Sequence, residues 1–513
     1  MAAGAALTGL VLERETRGPH GATTTTPTTT STGPRPLNAS AWSSLAASLA
    51  GRLVLPSSAA YATDRLLYNS KFVHLNPKGI AYCATPDDVA RCIDFATTHA
   101  LELRARCGGH SYGGYSSVDG LVIDVSPMAR IAVDTHANTA TVGAGARLID
   151  VYDVVGRHDR VLPGGSCPTV GIAGLTLGGG VGVFARKFGL TSDSLRSIDL
   201  VLSGGTKVTA DHHLHRDLLW ASRGGGGGNF AVATSFVFDV HPMPPITMFS
   251  LQFPWAAAAS MLAAWTAWVE SAPDELWSSC ELLAEGSAGL RAQVGGVFCG
   301  PPASLAELVG GLRSTIDASP TYEFIGGDAY LNAMKAEAGC EGLTIASCHL
   351  AGQNPLGTRS REAYSAKSSY VSRPMDEGRA TQWAHALELF SGEAPYLGGA
   401  IAFDAYGGAL NRLAKDATAF VHRDKLAGVQ ATSSWSPYSS EQQIATGTSW
   451  LSWLAANVID PAEGAYQNYI DPTLVDWRRA YYGENLERLV KVKRAYDPDD
   501  VFSFPQSIPT TLN

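Results

Sequence analysis

The chain has 513 residues, of which 45% are hydrophobic and 17% charged, so it can form more than one folded domain. Its formal net charge is −9 at pH 7 and no basic stripe is visible, which argues against a nucleic-acid-binding protein. No apolar run reaches the roughly 20 residues of a membrane-spanning helix, so we expect no membrane span.

Residues 1–59 are expected to form a low-complexity N-terminal tail. An apolar stretch at 2–12 precedes a segment at 21–36 that is rich in Thr and Pro, a composition typical of flexible chain. The apolar stretch is similar to the end of a twin-arginine-type export signal whose charged start is missing, and equally similar to an ordinary Ala-rich terminus. Export and a biosynthetic role in the cytoplasm therefore both stay open.

Short strands and helices alternate between residues 60 and 243. Apolar spacing predicts helices at 86–98, 148–156 and 218–222, and strands at 101–106, 120–125, 139–142, 198–203 and 229–241. Three glycine clusters, at 107–114, 164–182 and 224–228, interrupt them. Clustered glycine indicates turns with positive φ or backbone in close approach to a ligand. We favour a ligand cradle.

A second region begins after Pro242-Met243-Pro244-Pro245, which breaks the pattern. Within residues 244–474 we expect strands at 249–253, 277–283, 293–299, 401–406 and 421–434, with helices at 256–270 and 305–316. This alternation around an apparently antiparallel sheet indicates an α+β lobe. A helix rich in Arg and Lys at 477–496 opens a C-terminal segment, 475–513.

Cysteine and histidine spacings give no support for a metal site. The eight cysteines form no C-x-x-C pair, although Cys340 and Cys348 are close enough in sequence to bond. The histidine-rich run from Asp211 to His215 lacks a further carboxylate or cysteine at a usual ligand spacing. We expect no metal.

The first glycine cluster contains Gly109-His110-Ser111-Tyr112-Gly113, which matches the G-x-S-x-G elbow of a hydrolase. That elbow requires a helix directly after the serine. Here glycines, serines and then a strand follow, so the hydrolase interpretation fails. The second cluster has the same design, with a double glycine shortly before Cys167. It lacks the G-K-[ST] of a phosphate-binding loop and fits the dinucleotide fingerprint poorly.

Together these motifs resemble a known family. Residues 106–114, with His110, and residues 163–169, with Cys167, resemble the FAD-linked oxidases of the berberine-bridge-enzyme type in the vanillyl-alcohol-oxidase superfamily. Segments 189–193, 217–220, 223–230, 466–471 and 481–508 are also similar, so the resemblance spans roughly residues 60–510. It implies a two-lobed α+β fold of the vanillyl-alcohol-oxidase type, with an FAD-binding domain at 60–243, an antiparallel-sheet substrate domain at 244–474, and a C-terminal segment that returns to the first domain.

The resemblance also implies FAD that is attached twice, by His110 at the 8α-methyl carbon and by Cys167 at C6. Backbone N–H groups in the glycine turns can form nests for a pyrophosphate. The remaining candidate cofactor-binding residues are Arg106, Gly108, Gly109, Ser111, Tyr112, Gly113, Thr169, Gly171, Gly174, Gly178, Gly179, Gly182 and Asn468.

The implied reaction takes a hydride from an alcohol or hemiacetal carbon to flavin N5, and O2 is then reduced to H2O2. By similarity to carbohydrate oxidases of the family, Tyr469 is the expected base, and Tyr466, Asp404 and Tyr406 are further candidates near the reaction. The small-molecule substrate is either an oligosaccharide or a hydroxylated secondary metabolite, such as a polyketide or its sugar. Alternatives are oxidative C–C or C–N bond formation and a non-catalytic, drug-sequestering flavoprotein. A monomer and a homodimer are both compatible with the sequence.

Overall fold

The computed structural model describes residues 35–512. The apolar stretch at 2–12 and nearly all of the Thr/Pro segment lie outside these residues. None of the helices found between residues 35 and 512 combines the length and apolarity needed to cross a membrane.

The first lobe comprises residues 35–243 and 465–512. Its strands before residue 243 are β1 (Arg52–Val54), β2 (Gly79–Tyr82), β3 (Leu103–Arg106), β4 (Leu121–Asp124), β5 (Ile131–Asp134), β6 (Thr139–Gly143), β7 (Arg160–Val161), β8 (Leu195–Val201), β9 (Lys207–Asp211), β10 (Val232–Asp239) and β11 (His241–Pro242). Its helices there are α1 (Ala39–Ser48), α2 (Tyr61–Asp64), α3 (Pro86–Thr98), α4 (Leu148–Gly156), α5 (Ile172–Leu177), α6 (Ala185–Phe188) and α7 (Arg216–Ala221).

Two main sheets build this lobe. One has the order β1-β2-β4-β3, in which β2 and β3 run parallel to β4, and the other is antiparallel with the order β5-β6-β10-β8-β9. Helix α3 shows why the local sequence folds in this way. Thr85 and Asp88 form a reciprocal capping box, Pro86 occupies the first turn, and Val89, Cys92 and Ile93 are buried.

The N-terminal boundary differs from the prediction, because residues 39–54 are folded. Helix α1 is capped by the side chain of Asn38, and β1 pairs antiparallel with β2. The buried Asp88 carboxylate accepts the backbone N–H groups of Ala50 and Gly51 at 2.8 and 3.1 Å, which ties this segment to α3. The predicted tail at 1–59 therefore extends too far into the first lobe.

The second lobe comprises residues 244–464. Its strands are β12 (Ile246–Phe253), β13 (Leu276–Glu285), β14 (Leu290–Phe298), β15 (Tyr322–Asp328), β16 (Ala363–Val371), β17 (Gly398–Ala405) and β18 (Ala427–Trp435). Its helices are α8 (Ala258–Ser271), α9 (Pro302–Ser314), α10 (Tyr330–Glu337), α11 (Glu377–Glu393), α12 (Ala409–Arg412) and α13 (Glu441–Asn457).

The second lobe is built on one seven-stranded antiparallel sheet with the order β15-β12-β14-β13-β17-β18-β16. Alternation along the strands gives the sheet two chemically different faces. Cys280, Leu282, Phe403 and Val429 point into an apolar core that they share with α8, α11 and α13. The opposite face is polar and lines a cavity. The α+β organisation predicted for this region is confirmed.

The chain returns to the first lobe earlier than the predicted boundary at 475. Ala465 and Ile470 already pack with the first core, followed by α14 (Trp477–Tyr482) and α15 (Leu486–Tyr496). A single helix over 477–496 was predicted. Gly483, with φ 47°, breaks it into two.

Candidate active site

A cavity of about 580 Å³ lies between the two lobes. The first lobe contributes its glycine-rich turns, including residues 106–112, 165–167 and 226–229. The polar face of the second-lobe sheet contributes Ser279, Glu281, Asp404, Gln430 and Thr432. Residues 466–470 and 502–504 complete the lining. Parts of all three glycine clusters therefore meet around one space with Asp404, Tyr466 and Tyr469 of the predicted catalytic set.

Several of the predicted glycines are needed for backbone packing. A Cβ on Gly108 would collide with the backbone nitrogen of Gly171, and a Cβ on Gly171 would collide with the Cys107 side chain. A side chain at either position would push the two turns apart. Gly174 has nothing within 4 Å of the place where its Cβ would be, and it lines the cavity. This glycine leaves open space beside the lining.

The structure divides the predicted cofactor-binding set into two groups. Those that line the cavity are Arg106, Gly108, Gly109, His110, Ser111, Tyr112, Cys167, Gly171, Gly174, Gly182 and Asn468. Gly113, Thr169, Gly178 and Gly179 lie behind that lining. Gly113 abuts the Tyr115 ring, and Gly178 leaves room for the Asn468 amide. These glycines support the site and do not form its surface.

His110 is held at one nitrogen and along one ring face. Its Nε2 lies 2.8 Å from the Thr169 hydroxyl, and its ring stacks on Tyr68 with centroids 3.9 Å apart and planes at 17°. Burial and the Arg147 charge lower the pKa of His110 to about 3, so the imidazole is neutral at physiological pH. Among the described residues, Nδ1 has no hydrogen-bond partner, which leaves it the available nucleophilic nitrogen.

Cys167 presents its thiol to the same cavity. Although the side chain has accessible surface, that surface lies inside the protein, and burial followed by the Glu362 charge raises the thiol pKa to about 11. All eight cysteines of the chain are free thiols. The possible bond between Cys340 and Cys348 is therefore absent, although both pack in one small buried cluster.

Arg106 forms a buried ion pair with Asp124, with 2.5 Å between Nε and Oδ2. The two residues end neighbouring parallel strands, β3 and β4, in register. This pair fixes the start of the turn that carries His110. Ser111 has a structural role as well, since its hydroxyl accepts the Tyr115 N–H at 3.1 Å.

Three tyrosines form a cluster over the cavity. A 3-10 turn at Gln467–Tyr469 places Tyr466 and Tyr469 side by side, with ring centroids 5.0 Å apart at 74°. The ring of Tyr112 stacks on the other side of Tyr469 at 5.0 Å and 20°. In the described chain the Tyr469 hydroxyl makes no hydrogen bond, so it is free to meet a ligand.

Tyr466 was predicted near the reaction, but its hydroxyl is already engaged. It accepts hydrogen bonds from the Gly180 N–H and from the Asn468 side chain, both at 2.9 Å. The other Asn468 N–H donates to the carbonyl of Leu175 at 3.0 Å. Tyr466 and Asn468 therefore hold the turn at 175–180 against the tyrosine cluster.

Asp404 lies on the polar face of β17 and lines the cavity. Burial, followed by the charge of Glu281, raises the pKa of Asp404 to about 7. Glu281 lies two residues along the neighbouring strand from Ser279, which pairs with Asp404. The pKa of Glu337, in the same lining, is also raised to about 7 by burial. Asp404 is thus suited to exchange a proton near neutral pH.

Tyr406 does not line the main cavity, contrary to the prediction. It is buried beside Tyr370, with centroids 5.5 Å apart at 70°, and its backbone carbonyl accepts a hydrogen bond from Arg186. Only a much smaller void, of about 10 Å³, lies between Tyr406, Tyr466 and Tyr469. Because β17 ends at Ala405, Tyr406 lies beyond the strand, where the alternation that brings Asp404 to the cavity no longer applies.

Sequence reasoning did not identify several lining residues. Tyr68, Glu281, Glu337, Glu362, Tyr364 and Gln430 come from distant parts of the chain. The alternation of side chains along β13 and β18 could have indicated that Glu281 and Gln430 lie on the same face as the cavity. Over residues 35–512, no group of three His, Cys, Asp or Glu side chains has the geometry of a metal site.

Comparison with known proteins gives the same assignment along most of the chain. A family model described as an FAD binding domain matches residues 77–211, and one described as berberine and berberine like matches residues 465–509. The uncharacterized FAD-linked oxidoreductase YgaK of Bacillus subtilis (strain 168) is 32% identical over 467 residues, covering 90% of this chain and 97% of YgaK.

Two further relatives extend the likeness. A glucooligosaccharide oxidase of Sarocladium strictum is 30% identical over 457 residues, covering 84% of this chain and 87% of that enzyme. Among solved structures, BBE-like 1 of Physcomitrella patens superposes with a TM-score of 0.82 at 30% identity, covering 92% of this chain and 99% of that one.

Proposed function

The chain belongs to the berberine-bridge-enzyme-like family of FAD-linked oxidoreductases, and we propose that it oxidises an alcohol or hemiacetal carbon of an oligosaccharide, with dioxygen as electron acceptor. Family membership confirms the two-lobed FAD-binding fold of the vanillyl-alcohol-oxidase type. The chain is an oxidoreductase that binds FAD. The substrate class, the double attachment and the formation of H2O2 are the proposal.

One observation carries the proposal: the same cavity holds two side chains able to bond a flavin and two able to handle a substrate proton. His110 and Cys167 lie in the glycine turns of the first lobe, Asp404 lies on the second-lobe sheet, and Tyr469 lies in the returning segment. A non-catalytic binding protein would not need the second pair.

The residues present fit FAD. Gly174 leaves open space, the His110 Nδ1 is unpaired among the described residues, and the Cys167 thiol is accessible inside the cavity. Turns with free backbone N–H groups suit a pyrophosphate. We assign His110 to the 8α-methyl carbon and Cys167 to C6. When bound, FAD accepts a hydride at N5 and transfers the electrons to dioxygen.

Asp404 is the better proton acceptor of the two candidates. Burial raises the pKa of Tyr469 well above its usual value of 10, so at neutral pH the phenol keeps its proton. The Asp404 pKa of about 7 gives a substantial carboxylate population at the same pH. A general base works best when its pKa lies near the operating pH. We therefore assign the substrate hydroxyl proton to Asp404, and a hydrogen bond that orients that hydroxyl to Tyr469.

Support for an oligosaccharide comes from the polar strand face and from one relative. Ser279, Gln430 and Thr432 present hydroxyl and amide groups to the cavity, as recognition of several sugar hydroxyls requires. The relative from Sarocladium strictum is named a glucooligosaccharide oxidase. A hydroxylated secondary metabolite is the alternative that the substrate experiment separates.

The test begins with the full-length protein as purified. Flavin absorbance that stays with the protein after denaturation, and is lost only when both His110→Ala and Cys167→Ala are introduced, supports the double attachment. Peroxide release is then measured with glucose-, xylose- and N-acetylglucosamine-based oligosaccharides and with polyketide alcohols. A flavoprotein that releases peroxide with none of these contradicts the proposed oxidase activity, and peroxide release that Asp404→Asn leaves unchanged contradicts the role of Asp404.

A further inference from the structure

A short segment at residues 68–71, the bridging segment, ties the His110 turn to the second lobe. The Tyr68 N–H donates to the Gly109 carbonyl at 3.1 Å. On the other side, the Glu362 N–H donates to the Tyr68 carbonyl at 3.2 Å, and the Ser70 N–H donates to the Glu362 carbonyl at 2.7 Å. Glu362 directly precedes β16 of the second lobe.

Side chains strengthen the same connection. Asn69, only 1% exposed, donates to the Tyr364 carbonyl at 3.0 Å and accepts the Tyr364 N–H at 3.3 Å. The Lys71 ammonium donates to the Ser365 hydroxyl at 2.8 Å. These hydrogen bonds hold the bridging segment against β16 of the second lobe.

The Tyr68 ring contacts His110 and so links the position of the bridging segment to that of the imidazole. It covers one face of the imidazole, with 3.9 Å between the two ring centroids. Thr169 holds the imidazole at Nε2. With one nitrogen bonded and one ring face covered, the imidazole has a single orientation, in which Nδ1 remains unbonded among the described residues. Tyr68, Glu362 and His110 all line the same cavity.

We propose that Tyr68 is a positioning residue for the attachment of the cofactor to His110, and that the backbone hydrogen bonds between the bridging segment and Glu362 make this attachment depend on docking of the second lobe. The inference rests on the proposed function, because it needs a covalent link at His110. That link replaces one C–H bond of the ring methyl group by a C–N bond to Nδ1. Two protons and two electrons leave, and dioxygen takes them as H2O2.

The test measures the rate of attachment and not turnover. Full-length protein with the background change Cys167→Ala is produced under riboflavin limitation, so that only His110 can form a link. FAD is then added, and the fraction with the added FAD mass is followed by intact-protein mass spectrometry. Tyr68→Leu removes the stacking and is expected to slow attachment about three- to tenfold, the range for one aromatic contact.

A further variant isolates the connection to β16. Asn69→Ala removes the hydrogen bonds to the Tyr364 backbone and keeps the Tyr68 ring, so it is expected to slow attachment by a smaller factor, with no further loss when it is added to Tyr68→Leu. Tyr61→Leu is the matched control. Tyr61 is a half-buried tyrosine of the same lobe whose hydroxyl donates to the Pro77 carbonyl at 2.8 Å and which does not contact His110.

The outcomes separate this inference from the proposed function. If the parent protein releases all its flavin on denaturation, the double attachment is wrong and this inference falls with it. If the parent links FAD and Tyr68→Leu links it equally fast, the inference alone is overturned. Equal slowing by Tyr61→Leu would also overturn it, since the effect would then be general loosening of the lobe. Should Tyr68→Leu not fold, Asn69→Ala decides, because attachment at the parent rate in that variant would overturn the inference.

Discussion

The ring of Tyr112 stacks on the ring of Tyr469, with 5.0 Å between centroids and 20° between planes. Gln430 fixes Tyr112 in turn by donating to its hydroxyl at 2.6 Å. We expect Tyr112→Leu to lower kcat/KM about two- to tenfold, because an aromatic pair contributes roughly 0.5–1.5 kcal/mol and its loss frees the Tyr469 ring. Tyr112→Phe keeps the stack and should lose less. Equal losses in both variants would show that the hydroxyl, not the ring, matters. Steady-state peroxide assays measure both.

The proton-acceptor role of Asp404 predicts a specific pH dependence. The pKa of Asp404 is raised to about 7, so its basic form accumulates as pH rises through that value. In wild type kcat/KM should therefore increase with pH up to about 8. Asp404→Asn should lower kcat about 100-fold or more, which is typical of losing a general base, and should remove this limb of the profile. A variant that keeps the limb would return the base role to Tyr469.

The raised pKa of Asp404 also affects the stability of the protein. Rising pH favours the basic form needed for activity but lowers the free energy of unfolding. Between the usual carboxyl pKa, near 4, and the folded value of about 7, the native state binds more protons at Asp404 than the unfolded chain does. This group therefore makes the protein less stable as pH rises through that window. Asp404→Asn should raise Tm at pH 8 and have little effect at pH 4. Thermal denaturation of FAD-loaded protein at both values tests this, and a larger gain at low pH would contradict it.

Lys493 forms a buried ion pair in the C-terminal segment that returns to the first lobe. It is fully buried, pairs with Asp497 at 2.6 Å, and donates to the Asn229 carbonyl at 2.9 Å. Lys493→Met leaves Asp497 buried without its partner, at a cost of about 3–5 kcal/mol in the free energy of unfolding. Lys491→Met, at an exposed position in the same helix, is the control. Urea denaturation measures both, and similar midpoints would show that the pair contributes little.

Gly171 allows the two glycine turns to touch. A Cβ there would collide with the Cys107 side chain and the Gly108 backbone. Gly171→Ala should therefore reduce both thermal stability and the amount of bound FAD, since the turn that carries His110 must move. Gly204→Ala is the matched control, because nothing lies within 4 Å of the place its Cβ would take. FAD content comparable in the two variants would mean that the turns tolerate separation.

Local signals in the sequence predicted part of the fold correctly. Helix α3 carries its own start signal in Thr85, Pro86 and Asp88, and its observed bounds match the prediction. Strand β16 was not recognised because it reads Ala-Tyr-Ser-Ala-Lys-Ser-Ser-Tyr-Val, with Ala or Ser at five of its nine positions. Its pairing with β18 stabilises it, and that partner is distant in sequence. Helix α13 was missed for a similar reason. It contains Gly, Ser and Thr, and Trp450 anchors it by donating to the Ala386 carbonyl.

Site residues could be predicted from the sequence where a side chain able to bond a cofactor and a glycine turn occur in the same motif. His110 and Cys167 each follow a double glycine, and the structure brings both to one cavity. Glu281, Gln430 and Tyr68 carry no such local mark. They enter the site because sheet register and the bridging segment place them there. For Tyr406 and Tyr466, the motif predicted a place near the reaction. In the structure Tyr406 packs against Tyr370 and the Tyr466 hydroxyl accepts a hydrogen bond, so both side chains support the site.

The return of the chain to the first lobe at Ala465 affects the order in which the protein can mature during synthesis. The turns with His110 and Cys167 leave the ribosome early, and N-terminal units generally fold first. Residues 466–470 and 502–504, which complete the cavity wall, emerge only after the whole second lobe has been translated. Since these late residues form part of the cavity wall, we expect a nascent chain to bind FAD fully only after translation has delivered them.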